Sequence, residues 1–536
     1  MKKLILLMFT VLMFVGIFSG CAKTEVATEG TTQVENAENA AIVPTKTTVN
    51  IAIGENLFDL NPLNTSSLPA RIVAFNVFEP LVESDHKGTS GVFTPCLATK
   101  WERDETGKIW TFTLRQGVKF HNGEDFTSAD VVATYQRLIE AGNTLSVHSQ
   151  FWAYLSDVVA IDDYTVQIIT TEPFASTLIS VAFTPIISAK AWAELGDTPW
   201  DNQYMYGTGP WVFDEWVDGA YTHFTKNENY WNKTIYDPQF EDMYIKYILE
   251  PSSAIAAHLS GDVDAYIPSN GINVELLPLY NGTENTTQLI TMKTGTFNYF
   301  GFNCATGAFA DQNVRLAFDY AIDRQTIADT IFGGAASVPN SVVLDVTPGY
   351  DTDLAPYTYD PELATEYLAK STYDGHEIVL YSSSGLNKSE DQLLVVSEML
   401  NAVGFNTTVS VLEGATFSDI RKKGEYEVFL INDMTVGGDL AKYLSQKILN
   451  DTHKHGYENE EMMTLVNNIL TELDPATRAD LLSQYAVLTR EVAAPHSILA
   501  QFIATYAIDY GIVGIDLWTD GTFGFKYVDY DASLIP

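Results

Sequence analysis

Two histidines separated by one residue are the clearest pair of potential metal ligands in the sequence. His453 and His455 lie in the segment Thr452-His453-Lys454-His455. In an extended segment, side chains two residues apart point to the same side, so both imidazoles could face one metal ion. Imidazole is a good ligand for nickel. The same spacing also fits a solvated loop without a ligand, and both interpretations stay open at this point.

The other motifs that would indicate catalysis are missing. The chain has three cysteines, Cys21, Cys96 and Cys304, and no Cys-x-x-Cys pair. It also lacks the His-Glu-x-x-His pattern of zinc peptidases and the Gly-x-Ser-x-Gly pattern of serine hydrolases. The glycines in Gly207-Thr-Gly-Pro-Trp211 match no phosphate-binding loop, and we interpret them as a tight structural turn. We therefore expect a protein that is not an enzyme and carries no cofactor.

The composition argues against a general affinity for nucleic acid. The 536 residues include 30 basic and 69 acidic side chains, which gives a formal net charge of -39. A chain of this charge repels phosphate backbones and anionic lipids. The length also exceeds what one hydrophobic core organises, so two or three lobes are expected.

The N-terminus has the pattern of an export signal. Lys2-Lys3 precedes an apolar run from Leu4 to Phe18, which is short for a membrane span and typical of a signal peptide. The run leads into Ser19-Gly20-Cys21, which resembles a lipoprotein processing box. We therefore predict a signal peptide over residues 1–20 and lipidation of Cys21.

A polar segment follows the predicted lipidation site. Residues 21–46 are rich in Thr, Glu, Ala and Asn and contain almost no large apolar groups. Such a segment cannot offset the entropy lost on ordering, so we expect a disordered tether. The body of the protein should then lie outside the cytoplasm, anchored by its lipid to the outer face of the cell membrane.

The periodicity of the remaining sequence predicts an α/β fold. Apolar and polar residues alternate from Ile109 to Leu114, as in a half-buried strand. Thr127 and Asp130 are spaced to cap a helix that Gly142 ends. A βαβ pattern follows later in the chain, with a strand from Glu377, a helix over 389–403 and a strand over 406–412.

Three consecutive motifs between residues 94 and 142 carry a family resemblance. They read Pro95-x-Leu97-Ala98-x-x-Trp101, then Phe112-x-Leu114-Arg115-x-Gly117-Val118-Lys119-Phe120-His121-x-Gly123, then Phe126-Thr127-Ser128-Ala129-Asp130-Val131-Val132. Together they resemble the signature of the peptide/nickel-type (family 5) extracellular solute-binding proteins, which are the receptors of ABC importers. The resemblance continues at Gly207-Thr-Gly-Pro-Trp211 and covers nearly all of residues 47–530.

The resemblance implies a two-lobed, periplasmic-binding-protein-like clamshell with an extra small subdomain. The implied limits are 47–80, 187–290 and 500–536 for lobe I, 81–186 for the subdomain and 291–499 for lobe II. Because lobe I takes three separate pieces of chain, two crossings into lobe II would form a hinge that closes on a ligand. Cys96 and Cys304 would fall in different lobes, and we expect both to be buried free thiols.

The segment that holds a ligand amino group in peptide-binding members is altered in this chain. Those members have a Trp-x-x-Asp arrangement before a turn. Aligning Asp439 with the turn places Met434 at the aromatic position and Gly437 near the anchoring aspartate. Asp433 and Asp439 are therefore candidates to replace the missing carboxylate, or they are turn residues.

The resemblance also gives His453, His455 and Arg71 possible roles. Nickel-binding members have a histidine after this same segment, close to the position of the His453/His455 pair. Arg71 opens a helix after the Asn61 loop, where members of the family contact ligand, and its guanidinium could grip a carboxylate with two hydrogen bonds. A surface salt bridge is the alternative for Arg71.

The function implied by the resemblance is capture of a short oligopeptide or peptide-like solute and its delivery to an ABC permease. A monomer is sufficient for this task. The alternatives are a nickel or other metal chelate as the cargo, a sugar, or a ligand sensor that presents the closed clamshell to a membrane receptor.

The lipid anchor leads to a direct test. Replacing Cys21 with Ser removes the thiol that carries the lipid, so the Cys21→Ser protein should be released into the medium while the wild type sediments with membranes. Immunoblots of the two fractions measure this. If the variant stays with the membranes, the anchor is elsewhere in the chain.

Overall fold

The computed structural model describes residues 46–65, 67–84, 92–195, 200, 204–492, 494–519 and 523–536. The predicted signal peptide, Cys21 and all but the last residue of the predicted tether lie outside the described residues. Among the helices that are described, none combines the length and apolar character needed to cross a membrane.

The described residues form 21 strands and 14 α-helices. The strands are β1 Thr48–Ile53, β2 Val82–Ser84, β3 Phe93–Pro95, β4 Ala98–Arg103, β5 Ile109–Leu114, β6 Leu155–Asp162, β7 Thr165–Thr170, β8 Trp211–Val217, β9 Tyr221–Lys226, β10 Asp242–Tyr247, β11 Ala265–Tyr266, β12 Thr287–Phe302, β13 Ala336–Ser337, β14 Ile378–Ser383, β15 Thr407–Leu412, β16 Val428–Met434, β17 His496–Asp509, β18 Ile512–Val513, β19 Asp516–Leu517, β20 Phe523–Gly524 and β21 Asp529–Tyr530. The α-helices are α1 Leu68–Val77, α2 Ser128–Ala141, α3 Ser146–Phe151, α4 Thr177–Ala182, α5 Ala189–Leu195, α6 Pro251–Leu259, α7 Gln312–Ala321, α8 Arg324–Thr330, α9 Pro361–Lys370, α10 Ser389–Ala402, α11 Gly414–Lys423, α12 Ala441–Tyr443, α13 Glu460–Thr471 and α14 Pro475–Glu491. A π-helical turn, Leu444–Leu449, continues directly from α12.

The main sheet has 11 strands, and its centre is a long antiparallel ribbon made by β12 and β17. The strand order is β15-β14-β16-β12-β17-β11-β1-β10-β9-β8, and β13 pairs with β17 off this path. The ribbon runs from the pair Thr287/Asp509 to the pair Gly301/His496. No other pair of strands among the described residues is as long, so the ribbon is the main connection through the sheet.

Each half of the ribbon carries a different set of strands. The C-terminal half of β17 pairs with β11 through Ala507 and Ile508. Beyond β11, the sheet continues with β1, β10, β9 and β8. The opposite half of β12, Thr296–Phe302, pairs with β16, which leads to β14 and β15. The ribbon register shifts between Lys293 and Phe297, where the two halves meet. The sheet therefore consists of two half-sheets joined by the ribbon, and the predicted two-lobed α/β fold is confirmed; the residue limits of the lobes stay a prediction.

The half-sheet beyond β16 has the predicted βαβ arrangement. β14 pairs in parallel with both β15 and β16. Helix α10 connects β14 to β15, as the sequence predicted from the apolar spacing over 389–403. Leu380, Leu430 and Phe300 belong to the core on this side, whereas Val49, Ile51 and other side chains of β1 and β10 fill a separate core beside the first half-sheet.

The region that carries the family motifs forms a small antiparallel sheet covered by helix α2. Its strand order is β4-β5-β7-β6. The predicted strand Ile109–Leu114 is confirmed. The predicted capping box is confirmed as well, because the Thr127 side chain accepts from the first turn of α2 and the Asp130 carboxylate accepts from the Thr127 backbone N–H at 2.8 Å. Gly142 ends the helix as expected.

Side chains from distant parts of the chain meet around one buried carboxylate, Glu79. It accepts hydrogen bonds from Thr208 at 2.8 Å, from Tyr230 at 2.9 Å and from Trp231 at 2.7 Å. The Lys526 ammonium lies 2.7 Å from the same carboxylate. These contacts join separate segments of the chain, so the cluster around Glu79 stabilises the fold.

Cys96 and Cys304 are free thiols, as predicted, but they differ in burial. Cys96 is buried, whereas Cys304 is only half-buried, which corrects the expectation that both are fully enclosed. Burial raises the pKa of the Cys96 thiol well above its ordinary value and that of Cys304 to about 12. Both side chains are therefore neutral thiols at physiological pH.

The turn at Gly207 is as tight as the sequence predicted. A Cβ atom on Gly207 would lie 1.8 Å from the Val77 carbonyl oxygen. Backbone atoms also join the turn to its neighbours, because Gly209 N–H donates to Val77 at 2.9 Å and His121 N–H donates to Gly207 at 2.8 Å. Only a glycine allows this approach.

Replacement of Gly207 with alanine should therefore destabilise the fold. Forcing a methyl group into a packed site costs about 1–3 kcal/mol, so the melting temperature of Gly207→Ala should fall, as followed by circular dichroism. Gly385→Ala is the matched control, because its new Cβ would meet only Ser383 Oγ at 3.6 Å. Equal melting temperatures for the two variants would contradict the close approach at Gly207.

Candidate functional site

A large cavity among the described residues lies between two walls from distant parts of the chain. Its volume is about 590 Å³, within the range of small-molecule binding sites. One wall is formed by residues 143–153, which include helix α3, with Phe174 beside it. The other is formed by residues between 418 and 453, which include the end of α11, α12 and the π-helical turn.

The second wall is strongly basic. Arg421, Lys422, Lys442 and Lys447 line it, and none of the described residues that line the cavity carries a carboxylate. This is the opposite of the chain as a whole, in which acidic residues outnumber basic ones by 69 to 30. The local excess of positive charge is therefore a property of the site.

Two adjacent helical elements bring these cations together. Helix α11 is capped by the Glu413 side chain and stops at Gly424, whose φ of 71° is left-handed, so Arg421 lies in its last turn. The π-helical turn has the wider i→i+5 bonding pattern, as in the 2.9 Å hydrogen bond from Asn450 N–H to Ser445 O. That pattern places Lys442 and Lys447, five residues apart, on the same side.

Asp433, a predicted ligand candidate, is the buried counterion of this wall. Its carboxylate lies 3.2 Å from the Lys442 ammonium and 3.8 Å from that of Lys447. Burial acts to raise the pKa of Asp433, but the two ammonium groups outweigh it and the pKa lies below its ordinary value. The carboxylate is thus ionised and supports the lysines from behind the cavity surface.

His453 lies in the cavity wall and accepts from the same cations. Its Nε2 is 2.7 Å from Arg421 Nη1 and 3.1 Å from Lys447 Nζ. Burial, together with repulsion from Lys447 and Arg421, lowers the pKa of His453 far below its ordinary value. The imidazole is therefore neutral, and its Nε2 lone pair faces the two donors.

His455 does not share this position. Its Nδ1 lies 2.9 Å from the Phe302 carbonyl oxygen, and its Nε2 lies 2.9 Å from Nε2 of His496. His496 in turn contacts the Tyr443 hydroxyl at 2.6 Å. Since His453 is 7% exposed and His455 is 1% exposed, the solvated-loop interpretation is wrong. Binding of a metal by this pair stays a prediction, and only His453 borders the cavity.

Asp439 and Gly437 belong to a tight turn. Gly437 and Gly438 have φ values of 55° and 71°, and Asp439 N–H donates to Val436 O at 2.9 Å, as in a type I′ turn. The Asp439 carboxylate accepts from Arg478 at 2.7 and 3.2 Å and caps Ala441 N–H at 2.6 Å. Its oxygens are thus engaged within the fold.

The remaining candidates also have partners in the fold. Met434 is half-buried at the end of β16 and packs against the core of the first half-sheet. Arg71 is buried on α1, where its Nε donates to Thr65 O at 2.8 Å and its Nη2 donates to Gln150 Oε1 at 3.0 Å. Because Gln150 lines the cavity, Arg71 lies directly behind the 143–153 wall. Ligand contact by Arg71 and by Met434 stays a prediction.

Hydrogen bonds join residues of the 143–176 region to residues of the 418–478 region. Gln446 Nε2 donates to Ser149 O at 2.5 Å, Ala175 N–H donates to Leu470 O at 2.9 Å, and Arg478 donates to Ser176 Oγ at 3.3 Å. The Gln446 contact lies in the cavity lining itself, so it links the two walls where a ligand would sit between them.

The basic residues that dominate the site are not among the residues predicted from the sequence. Arg421, Lys442 and Lys447 match no motif, and the comparison with the family segment directed attention to the carboxylates instead. A usable signal was present, because basic residues are scarce in this chain yet recur between 421 and 454. The sequence alone does not show that two separate helical elements converge on one cavity.

A second cluster has the composition of a metal site but already contains a lysine ammonium. Glu79, Glu83 and Cys96 could each offer a ligand atom, and these atoms lie within 4.8 Å of one another. The Lys526 ammonium contacts both carboxylates and lies 3.9 Å from the Cys96 sulfur. The lysine thus supplies the positive charge that a metal ion would bring.

Comparison with known proteins identifies the family. Residues 92–452 match the family model described as bacterial extracellular solute-binding proteins, family 5 middle. Heme-binding protein A of Haemophilus influenzae is 25% identical over 447 residues, which cover 78% of this chain and 80% of that protein.

Solved structures show the same fold. NikA from Brucella suis, in complex with Fe(III)-EDTA, superposes with a TM-score of 0.77 at 21% identity, covering 91% of this chain and 100% of that one. The dipeptide-binding protein from Pseudoalteromonas sp. SM9913, in complex with Met-Leu, gives a TM-score of 0.74 at 20% identity, with 90% and 100% coverage. The motifs, the ribbon-linked half-sheets and the family match together lead to one conclusion: this chain belongs to the bacterial extracellular solute-binding proteins of family 5, which serve ABC transporters.

Proposed function

We propose that the protein is a membrane-anchored receptor that captures a short peptide or peptide-like solute in the cavity described above and delivers it to the permease of an ABC importer. The observation that carries the proposal is the cavity itself, which is placed between two walls and lined mostly by hydrogen-bonding side chains. Its volume of about 590 Å³ accommodates a molecule of a few amino acid residues. The Met-Leu ligand of the Pseudoalteromonas relative supports the same class of solute.

Closure around the solute follows from the sheet. Because the half-sheets are joined by β12 and β17, and because the ribbon register shifts at its midpoint, a small bend there would change the separation of the 418–453 wall and the 143–153 wall. The ligand drives this motion only through contacts that exist in the closed state. The proposed hinge thus lies where the residue pairing is irregular.

A metal chelate is the second candidate cargo, and a specific observation favours it. His453 presents a neutral imidazole in the wall beside two cations, and NikA from Brucella suis binds Fe(III)-EDTA. In this chain the carboxylates of a chelator would contact Arg421 and Lys447, and the metal would remain with its chelator. Direct ligation by His453 would require Arg421 to leave Nε2.

Mass spectrometry tests the proposed cargo. Protein purified without denaturation should show an excess mass of one small solute under native conditions, and that solute should be recovered unchanged after denaturation. Fragmentation distinguishes a peptide from a chelate. A product that has been cleaved by the protein would contradict a receptor and indicate an enzyme.

Binding should also make the molecule more compact. The radius of gyration from small-angle scattering is expected to decrease when cargo is added to protein that has been unfolded, dialysed and refolded to remove ligand. The same preparation without cargo is the control. An unchanged radius, with binding confirmed by native mass spectrometry, would contradict closure about the ribbon.

A further inference from the structure

We infer that the solute is a polyanion, with at least two carboxylate or equivalent oxyanion groups that the 418–453 wall recognises. This inference rests on the proposed function, because it assigns a substrate class to the same cavity. An acidic peptide and a polycarboxylate metal chelate are both polyanions of this kind. Each part of the argument comes from charge, hydrogen bonding or burial in that wall.

The charges of the wall do not balance. Apart from the exposed Lys422, the wall has three cations, Arg421, Lys442 and Lys447, and one buried carboxylate, Asp433, which leaves an excess of two positive charges. The side chains of Lys442 and Lys447 are only 16% and 11% exposed, so solvent screens them weakly. A ligand with two negative charges would neutralise the excess.

The donors of the wall also outnumber its acceptors. Arg421 and Lys447 converge on the single Nε2 lone pair of His453, at 2.7 and 3.1 Å. The Nε–H of Arg421 is buried and has no hydrogen-bond partner among the described residues. Phe417 and Phe429 hold the guanidinium in place, with ring centroids 4.6 and 5.6 Å from its central carbon. An oxyanion is the acceptor that completes this set.

The opposite wall supplies no competing charge preference. Asn143, Ser149, Gln150 and Trp152 line it with neutral side chains, and His148 is the one titratable group among the described residues there. Burial lowers the pKa of His148, so it is neutral at physiological pH. Selection by charge is therefore a property of the 418–453 wall, while the neutral wall can accept the uncharged part of the solute.

The inference is tested with an equimolar mixture of acidic, neutral and basic tripeptides, in which Glu-Ala-Glu is matched by Gln-Ala-Gln and Lys-Ala-Lys. Citrate, alone and with Ni²⁺, represents the chelates. Ligand-free protein is incubated with the mixture, and bound solutes are identified by native mass spectrometry. We expect an acidic peptide or citrate to be bound at least about tenfold more tightly than the neutral match.

The outcomes separate this inference from the proposed function. Equal or tighter binding of the neutral or basic peptides would overturn the polyanion inference and leave the receptor function intact. If no peptide and no chelate binds, the proposed function fails and the inference fails with it. Binding of citrate only with Ni²⁺, but not of acidic peptides, supports the inference and assigns the chelate as the source of the oxyanions.

Two variants locate the recognition in the wall. Lys447→Met removes one charge while Asp433 keeps Lys442 as a partner, so the fold should be retained, as checked by melting temperature. Affinity for the preferred anion should fall about ten- to hundredfold. Lys370→Met is the control of equal charge change, because Lys370 is 60% exposed on α9; an equal loss in both variants would overturn the local recognition.

Discussion

The pairing of β12 with β17 is the constraint on which the rest of the structure depends. These two strands are the only direct connection between the half-sheets within the main sheet as described. One half of the ribbon organises the strands around β1, and the other half organises β14–β16. The cavity lies between elements attached to opposite sides of this junction, where the ribbon register shifts between Lys293 and Phe297 and again between Asn298 and Tyr299.

The cations of the cavity wall are a local electrostatic conflict. Burying several like charges beside one carboxylate carries a cost in desolvation and mutual repulsion that the attraction to the counterion must offset. A chain with so many acidic residues could readily supply more carboxylates here. Instead Asp433 holds the lysines from behind, and His453 offers one neutral acceptor in front. Such a local conflict is typical of a functional site in an otherwise consistent fold.

Much of the fold could be predicted because its determinants are local. The capping box of Thr127 and Asp130, the caps at Asp311 and Asp474, and the alternating strand at 109–114 need only neighbouring residues. The site could not be predicted in the same way. Asp439 resembles a ligand anchor in the sequence, yet its oxygens bind Arg478 from a helix almost 40 residues away. Likewise, α11 and the π-helical turn line the same cavity, and no local sequence pattern predicts that they lie close together.

A crystal structure of the protein with its native cargo tests the central claim most directly. The account predicts solute density between residues 143–153 and 418–453, with oxyanion groups within about 3 Å of Arg421 and Lys447. The Arg421 Nε–H, which has no partner among the described residues, should then donate to the solute. A cargo bound in a different cavity, or one that turns only uncharged groups towards Arg421 and Lys447, would contradict the account.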